Sequence, residues 1–240
     1  MAPKSACFDV LGTCFDFGAA ADTIHSRLGP QLHDLNVDAK TLTFMWFFAA
    51  QRDFAYTSVA GSYTPIAKIL QATFKRACYL VDVPVGSVSD DDVAAVMATM
   101  KALPPRNGLK ECFDGLREKG WDVYGVTNGA KATSLEYYRL AKIDLDAEHL
   151  LSCDEIQVAK PDAKVYENTH RHLTAKGAGA GEGERWFVAA HAWDLLAARK
   201  AGFKTAFLEH EEHDAVEEVF GKFDLYAKDF PELLEKMKGL

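Results

Sequence analysis

The sequence lacks the cysteine pattern of a disulfide-stabilised or zinc-binding protein. Its five cysteines are an odd number and none lies in a CxxC pair: Cys7, Cys14, Cys78, Cys112 and Cys153. Such a set argues against both a disulfide framework and a zinc knuckle. Residues 1–5 also contain no apolar run long enough for a signal peptide. A reducing cytoplasm is therefore the expected compartment.

Basic charge and long apolar runs are also scarce. The chain has 27 Lys and Arg against 35 Asp and Glu, a net charge of −8. This balance leaves no basic footprint for nucleic acid or an anionic membrane, and no stretch approaches the length of a membrane span. We therefore expect no nucleic-acid partner and no membrane partner. An anionic substrate would need a local cluster of cations to attract it.

Apolar residues are present in the proportion of an ordinary folded core, 48% of 240 residues. This length suits one domain, or one domain with an insertion. A short apolar run at residues 6–8 ends at Asp9, which predicts a buried strand that breaks into a loop. Residues 18–100 instead show helical periodicity, with helices predicted at 41–57 and 66–80.

Beyond Pro104-Pro105 the pattern changes to alternating helices and strands. Strands are predicted at residues 121–126, 150–152, 186–190 and 205–208. Such alternation favours a parallel sheet covered by helices on both faces. The sequence therefore predicts the α/β class, a doubly wound parallel sheet with an inserted helical cap. The core would be residues 1–17 and 101–240, and the cap residues 18–100.

Polar side chains stand at the predicted strand ends, where ligands of such sheets gather. They are Asp9 and Thr13, Thr127 and Asn128, Lys160, and His191 and Asp194. A carboxylate can act as a nucleophile when a cation keeps it ionised and oriented. Lys160 could supply that charge to Asp9, and the hydroxyl and amide groups could donate hydrogen bonds.

These segments resemble the four ordered motifs of the haloacid dehalogenase superfamily. The matching residues are Phe8-Asp9-Val10-Leu11-Gly12-Thr13, Val126-Thr127-Asn128-Gly129, Lys160-Pro161 with Tyr166, and Ala189-Ala190-His191-Ala192-Trp193-Asp194. The Lys-Pro spacing to Tyr166 and the Ala-Trp-Asp ending resemble the L-2-haloacid dehalogenase branch in particular. The resemblance covers nearly the whole chain and implies the Rossmann-like core and cap of that superfamily.

The resemblance implies a two-step hydrolysis. Asp9 would attack the substrate carbon and form an aspartyl ester, which water activated near Asp194 would then hydrolyse. Lys160 would pair with Asp9, while Thr13, Thr127 and Asn128 would position the carboxylates of enzyme and substrate. We assign catalytic roles to Asp9, Lys160, Asp194, Thr13, Asn128 and His191. Substrate contacts are expected from Thr127, Leu11, Gly12, Trp46, Phe47, Arg52, Tyr166 and Trp193.

Two departures argue against the phosphatase activity that is commonest in this superfamily. Phosphatases carry a second Asp two residues after the nucleophile, where this chain has Leu11. They also use an acid four residues before the last Asp, where this chain has Ala190. A hard cation would lack its usual ligands, so we expect no metal and no cofactor.

Other departures concern the leaving group. The dehalogenases place an Arg directly after a cap-helix Trp to receive the halide, but Phe47 follows Trp46 here, and Arg52 is the nearest replacement. His191, three residues before the final Asp, also resembles the ring-opening cis-epoxysuccinate hydrolases of the same branch. Azetidine-2-carboxylate hydrolases belong to that branch as well. A strained ring releases no free halide, so it would need no such Arg.

Three functions follow, in this order. The first is hydrolysis of a small 2-substituted carboxylic acid, of the (S)-2-haloacid dehalogenase type. The second is ring opening of an epoxide or azetidine carboxylate. The third is an inactive binding or regulatory protein. The resemblance further implies a homodimer formed through the cap. The acidic run of Glu211, Glu212, Glu217 and Glu218 is expected to be a solvated face.

Overall fold

The computed structural model describes residues 4–177 and 184–240. The chain divides into two compact units, Met1–Phe15 with Pro105–Leu240 and Asp16–Pro104. In chain order the elements are β1 (Lys4–Asp9), α1 (Gly18–Asp34), α2 (Ala39–Val59), α3 (Ile66–Leu80), α4 (Asp90–Thr99), α5 (Leu109–Glu118), β2 (Trp121–Thr127), α6 (Lys131–Leu140), β3 (Leu150–Ser152), α7 (Cys153–Ile156), α8 (Ala163–Ala175), β4 (Arg185–Ala189), α9 (Ala192–Lys200), β5 (Lys204–Leu208), α10 (Glu217–Phe220), β6 (Leu225–Ala227) and α11 (Phe230–Lys238).

The first unit is built on a parallel sheet. Within the described residues this sheet has six strands in the order β3-β2-β1-β4-β5-β6, and every neighbouring pair is parallel. The central strand β1 is buried from Ser5 onward. The doubly wound α/β fold predicted from the sequence is therefore confirmed.

Helices cover both faces of this sheet. Successive side chains of β1 point to opposite faces. Phe8 packs against Phe113 of α5 on one face, with ring centroids 4.7 Å apart. Cys7, on the other face, joins a buried cluster that includes Tyr166 of α8 and Leu195 of α9. Because helices cover both faces, a site can form only at an edge of the sheet, where loops follow the strands.

The strand order reverses at β1, because the chain proceeds from β1 to β2 on one side and later reaches β4 on the other. Ligands of open α/β sheets bind at such a switch point, beyond the carboxyl ends of the strands. Asp9 is the last residue of β1, and Thr127 is the last residue of β2. Both residues therefore lie at the edge of the sheet where ligands of this fold bind.

The second unit is helical and has its own apolar core. Trp46 and Phe47 of α2 are buried; Trp46 packs against Phe74, and its Nε1 donates a 3.1 Å hydrogen bond to the Leu70 carbonyl. Phe47 packs against Phe17 with ring centroids 4.0 Å apart. Aromatic residues of α2 therefore stabilise this unit.

The chain leaves and re-enters the first unit at neighbouring positions. Phe15 forms an antiparallel bridge with Pro105, and the Arg106 amide donates to the Cys14 carbonyl at 2.8 Å. Within the helical unit, the Asp16 amide donates to the Pro104 carbonyl at 2.9 Å. The two ends of the inserted segment are thus hydrogen-bonded to each other.

Sequence analysis missed the edge strand β6 and the helix α11 that follows it. The three residues of β6 are too few to show a period-two pattern, and the strand is defined by its pairing with β5. Asp229 begins α11 by accepting from the Glu232 amide.

None of the helices within residues 4–177 and 184–240 combines the length and the apolar character needed to cross a membrane.

Candidate active site

The site is built around the tight turn that follows β1. Gly12 adopts a φ of +82°, a conformation that disfavours other residues, and the chain then returns through Thr13 and Cys14. The amides of Cys14 and Phe15 both donate to the Val10 carbonyl. This turn places Thr13 beside the carboxylate of Asp9.

Three side chains contact the carboxylate of Asp9. Lys160 Nζ donates to Oδ1 at 2.9 Å, Thr13 Oγ1 donates to Oδ2 at 2.7 Å, and His191 Nδ1 lies 3.2 Å from Oδ2. Burial raises the pKa of Asp9, but Lys160 and His191 outweigh it and hold that pKa well below its usual range. Asp9 is therefore ionised at neutral pH, as a nucleophile must be.

Lys160 links the two buried carboxylates of the site. Its Nζ donates to Asp9 and, at 2.8 Å, to Asp194 Oδ2, and its side chain has no exposed surface. Burial lowers the pKa of Lys160, but Asp194 and Asp9 together raise it above the ordinary value. The backbone amide of Lys160 donates to Asn128 Oδ1 at 3.0 Å, so the loop after β2 fixes where this ammonium stands.

Asp194 lies in the first turn of α9 and is fully buried. Its Oδ1 accepts a hydrogen bond from the Tyr166 hydroxyl. Burial raises the pKa of Asp194, and the negative charge of Asp9 adds to this, against the opposing effect of Lys160. A carboxylate with a raised pKa is a better proton acceptor, which suits activation of a water molecule.

Thr127 and Asn128 lie at the end of β2, as predicted. Thr127 Oγ1 accepts from the Gly129 amide at 2.9 Å and from Ser134 Oγ at 3.4 Å. Because Asn128 Oδ1 accepts from Lys160, its NH₂ group is the part able to donate to a substrate oxygen. Thr127 thus fixes the turn after β2, and Asn128 fixes the backbone of Lys160.

The acidic run after β5, which was expected to be a solvated face, is partly buried. Glu211 and Glu212 do not belong to a solvated face, although Glu217 and Glu218 are exposed. The side chain of Glu211 has no exposed surface, and its Oε1 lies 2.9 Å from His191 Nε2. Glu212 accepts from the Ala192 amide at the start of α9. The expectation failed because the sequence of an acidic run does not show which cationic side chains from distant segments will contact it.

Arg106 is a second residue that sequence reasoning missed. Its guanidinium donates to Glu211 Oε2 at 2.6 Å and to the Gly12 carbonyl at 3.1 Å. A Cβ at Gly12 would lie 2.5 Å from Glu211 Oε1. Gly12 therefore leaves room for this carboxylate as well as allowing the turn, and Arg106 fixes the carboxylate from the other side.

The remaining predicted substrate residues lie in two places. Leu11 and Tyr166 are buried in the first unit, and the half-buried ring of Trp193 stacks on His191 at 5.6 Å. Trp46 and Phe47 belong to the apolar core of the helical unit. In that unit Arg52 pairs with Asp53 at 2.9 Å, and Asp53 also pairs with Arg76.

The site differs from that of the phosphatases at two acid positions. The two acid positions of the phosphatases hold Leu11 and Ala190, and the Lys160 ammonium lies between Asp9 and Asp194. Magnesium requires several oxygen ligands in a near-octahedral arrangement. No group of three or more His, Cys, Asp or Glu residues arranged for a metal is found in the part of the chain that the structure describes.

Comparisons with known proteins identify the family of this chain. A family model described as haloacid dehalogenase-like hydrolase matches residues 3–202. The (S)-2-haloacid dehalogenase 4A of Burkholderia cepacia is 23% identical over 208 residues, which cover 87% of this chain and 84% of that protein. These matches extend through both units.

Solved structures show the same fold. One L-2-haloacid dehalogenase superposes with a TM-score of 0.81 at 21% identity, covering 99% of this chain and 100% of that one. Another, from Xanthobacter autotrophicus with chloropropionic acid covalently bound, gives a TM-score of 0.79 at 18% identity and covers 99% of both chains.

Proposed function

Since this chain belongs to the haloacid dehalogenase-like hydrolases, we propose that it hydrolyses small 2-substituted carboxylic acids in the manner of an (S)-2-haloacid dehalogenase. One observation carries the proposal: the buried carboxylate of Asp9 is kept ionised by Lys160 and oriented by Thr13, with Asp194 on the far side of the same ammonium. This arrangement suits nucleophilic attack at carbon followed by hydrolysis of an ester.

In the first step, an oxygen of Asp9 attacks the carbon that bears the leaving group. The C–O bond forms as the bond to the leaving group breaks, and that group departs with the electron pair. Oδ1 is the better nucleophile, because Oδ2 already accepts from Thr13 and His191 whereas Oδ1 accepts from Lys160. The NH₂ group of Asn128 is assigned to the substrate carboxylate.

In the second step, water attacks Cγ of the aspartyl ester. Asp194 takes a proton from this water, and its raised pKa favours the transfer. The Cγ–Oδ1 bond then breaks, and the 2-hydroxy acid leaves with the former Asp9 oxygen. Asp9 regains a carboxylate that contains one oxygen from water.

This oxygen transfer gives the test. A single turnover of (S)-2-chloropropionate in heavy-oxygen water should leave the label in Asp9, found by mass spectrometry of the peptide, and later turnovers should pass it to the product. Asp9→Asn should abolish most activity because an amide is a poor nucleophile. Asp34→Asn, the same change at an exposed residue, should have no effect. Label appearing in the product of the first turnover would mean direct attack by water and would overturn the mechanism.

A second candidate is ring opening of an epoxide or azetidine carboxylate, favoured by Phe47 in the position of the halide-binding Arg. Loss of one transition-state donor costs about 100- to 1,000-fold in rate, so we expect slow dechlorination unless Arg52 or His191 replaces the guanidinium. Rates with 2-chloropropionate, cis-epoxysuccinate and azetidine-2-carboxylate decide between the candidates. Faster ring opening than dechlorination would make ring opening the first choice, and no turnover of any substrate would favour an inactive binding protein.

We also propose that the reaction needs no divalent metal and that the protein works in the cytoplasm as a homodimer. The support for the first point is the ammonium that stands between the two carboxylates. The cytoplasmic location is supported by the five cysteines, which are all free and buried. The homodimer rests on the family resemblance, and light scattering of the purified protein tests it.

A further inference from the structure

His191 lies between two carboxylates. Nδ1 is 3.2 Å from Asp9 Oδ2, and Nε2 is 2.9 Å from Glu211 Oε1. An ionised carboxylate can only accept hydrogen bonds, so both ring nitrogens must carry a proton for both contacts to form. The geometry therefore requires the imidazolium form.

The charges of the cluster lead to the same result. Asp9, Asp194 and Glu211 are balanced by Lys160, Arg106 and a protonated His191, as their direct contacts show. With a neutral His191, the three carboxylates would share only two cations, Lys160 and Arg106, and the buried cluster would keep one uncompensated negative charge, which is costly.

The other groups around His191 have smaller effects on its charge. They are Glu212, whose pKa is raised by burial; His210, whose pKa burial lowers to about 4; and the ring of Trp193. Burial lowers the pKa of His191 itself, but the hydrogen bonds to Asp9 and Glu211 raise it well above the ordinary value.

The direction of its N–H groups limits what His191 can do. Nδ1–H points at the nucleophile and Nε2–H at Glu211, so neither is directed to a departing group in this arrangement. The oxygen that Nδ1 contacts, Oδ2, also accepts from Thr13. Once Oδ1 has been alkylated, Oδ2 becomes the carbonyl oxygen of the ester.

We propose that His191 and Thr13 bind the oxyanion formed at Oδ2 during ester hydrolysis, and that Glu211, fixed by Arg106, is the positioning residue that keeps His191 charged. This inference rests on the proposed ester mechanism. Attack of water on Cγ moves the carbonyl electron pair onto Oδ2, while Asp194 holds the proton from the water. When the electron pair returns, Cγ–Oδ1 breaks, the leaving oxygen takes the proton from Asp194, and the new carboxyl group of Asp9 ionises to solvent. Two donors aimed at the oxygen that gains charge are what this step requires.

Glu211→Gln tests the proposal, because it keeps the shape of the side chain and removes its charge. Rapid-quench mass spectrometry should show that the ester forms at nearly the wild-type rate but is hydrolysed roughly 10- to 100-fold more slowly, by analogy with residues that orient a metal-bound histidine. The ester should therefore accumulate. Glu218→Gln, a change at an exposed residue of the same acidic run, should not accumulate it.

Two further measurements separate this role from a merely structural one. Hydrolysis should slow as pH rises through the pKa of His191, and Glu211→Gln should move that decrease to lower pH. His191→Asn should slow hydrolysis about 100- to 1,000-fold, and Glu211→Gln added to it should slow it no further, since both changes act through one charge.

Nitrogen NMR of the full-length protein reports the charge of His191 without any substrate. We expect both ring nitrogens to be protonated at pH 8 in the wild type. In Glu211→Gln, one of them should lose its proton at a lower pH than in the wild type. A neutral His191 at pH 8 in the wild type would overturn the proposal even if Glu211→Gln failed to fold. Normal ester hydrolysis in a folded Glu211→Gln protein would also overturn it. A wild type that never forms the ester would instead overturn the proposed function.

Discussion

Replacing Lys160 by Met should cost stability in a way that depends on pH. The ammonium is fully buried and contacts two carboxylates, at 2.9 Å from Asp9 and 2.8 Å from Asp194. Removing one partner of a buried ion pair costs about 3–5 kcal/mol, because the remaining charge is left without compensation. Two buried carboxylates without the ammonium repel each other, so one of them should bind a proton in the folded variant.

The proton uptake fixes the sign of the pH dependence. In the variant, a carboxyl with a raised pKa in the folded state binds more protons there than in the unfolded state. The stability that this proton contributes to the variant is lost as pH rises through the folded pKa. In the wild type, the lowered pKa of Asp9 gives stability that is present above its unfolded pKa and is lost as pH falls through the folded one. The two stability curves should therefore converge in acid.

One proton corresponds to about 1.36 kcal/mol per pH unit, so the loss should grow by up to about 2.7 kcal/mol between pH 5 and pH 7. Urea unfolding of wild type and Lys160→Met across this range measures the difference. Lys164→Met, at an exposed position on α8, should change stability by less than about 0.5 kcal/mol. Parallel curves, or a loss below about 1 kcal/mol at pH 7, would refute the view that Lys160 compensates both charges.

Three other outcomes are expected. Exhaustive chelation should leave activity unchanged, and magnesium-dependent hydrolysis of p-nitrophenyl phosphate would contradict this. Gly12→Ala should destabilise the protein more than Gly86→Ala does. Both glycines have positive φ, but only the Cβ at position 12 would collide with Glu211. Equal losses of unfolding free energy in the two variants would exclude this steric contribution. Trp46→Ala should lower the free energy of unfolding by about 3–5 kcal/mol, whereas Phe48→Ala, at a 42% exposed side chain, should cost much less; similar losses would mean that Trp46 is not a core residue.

Sequence reasoning succeeded where a residue's position follows from its place on a strand. Asp9 and Thr127 end neighbouring parallel strands, so both residues had to lie at the carboxyl edge of the sheet once the alternation of helices and strands was recognised. The Lys160 loop could be placed there by its motif. The short apolar runs of these strands carry enough periodicity to be found.

The part that sequence reasoning missed depends on contacts between distant segments. Glu211 lies in an acidic run, and only the fold brings it against His191 and Arg106, 20 and 105 positions away. A charge pattern measures local composition, so it cannot separate a buried counter-ion from a solvated acid. The roles of Trp46, Phe47 and Arg52 toward a substrate stay predictions for the same reason.

The hydrogen-bonded junction around Phe15 and Pro105 has a thermodynamic consequence. While the helical unit is folded, the two ends of its segment are held together, and the first unit has no long loop to close. If the helical unit unfolded alone, the first unit would have to close a flexible loop of roughly ninety residues. Relative to a four-residue turn, this closure costs about 2.8 kcal/mol of chain entropy. Folding of the insertion therefore stabilises the strand that carries Asp9 through connectivity alone, and substitutions deep in the helical unit should loosen the site without touching it.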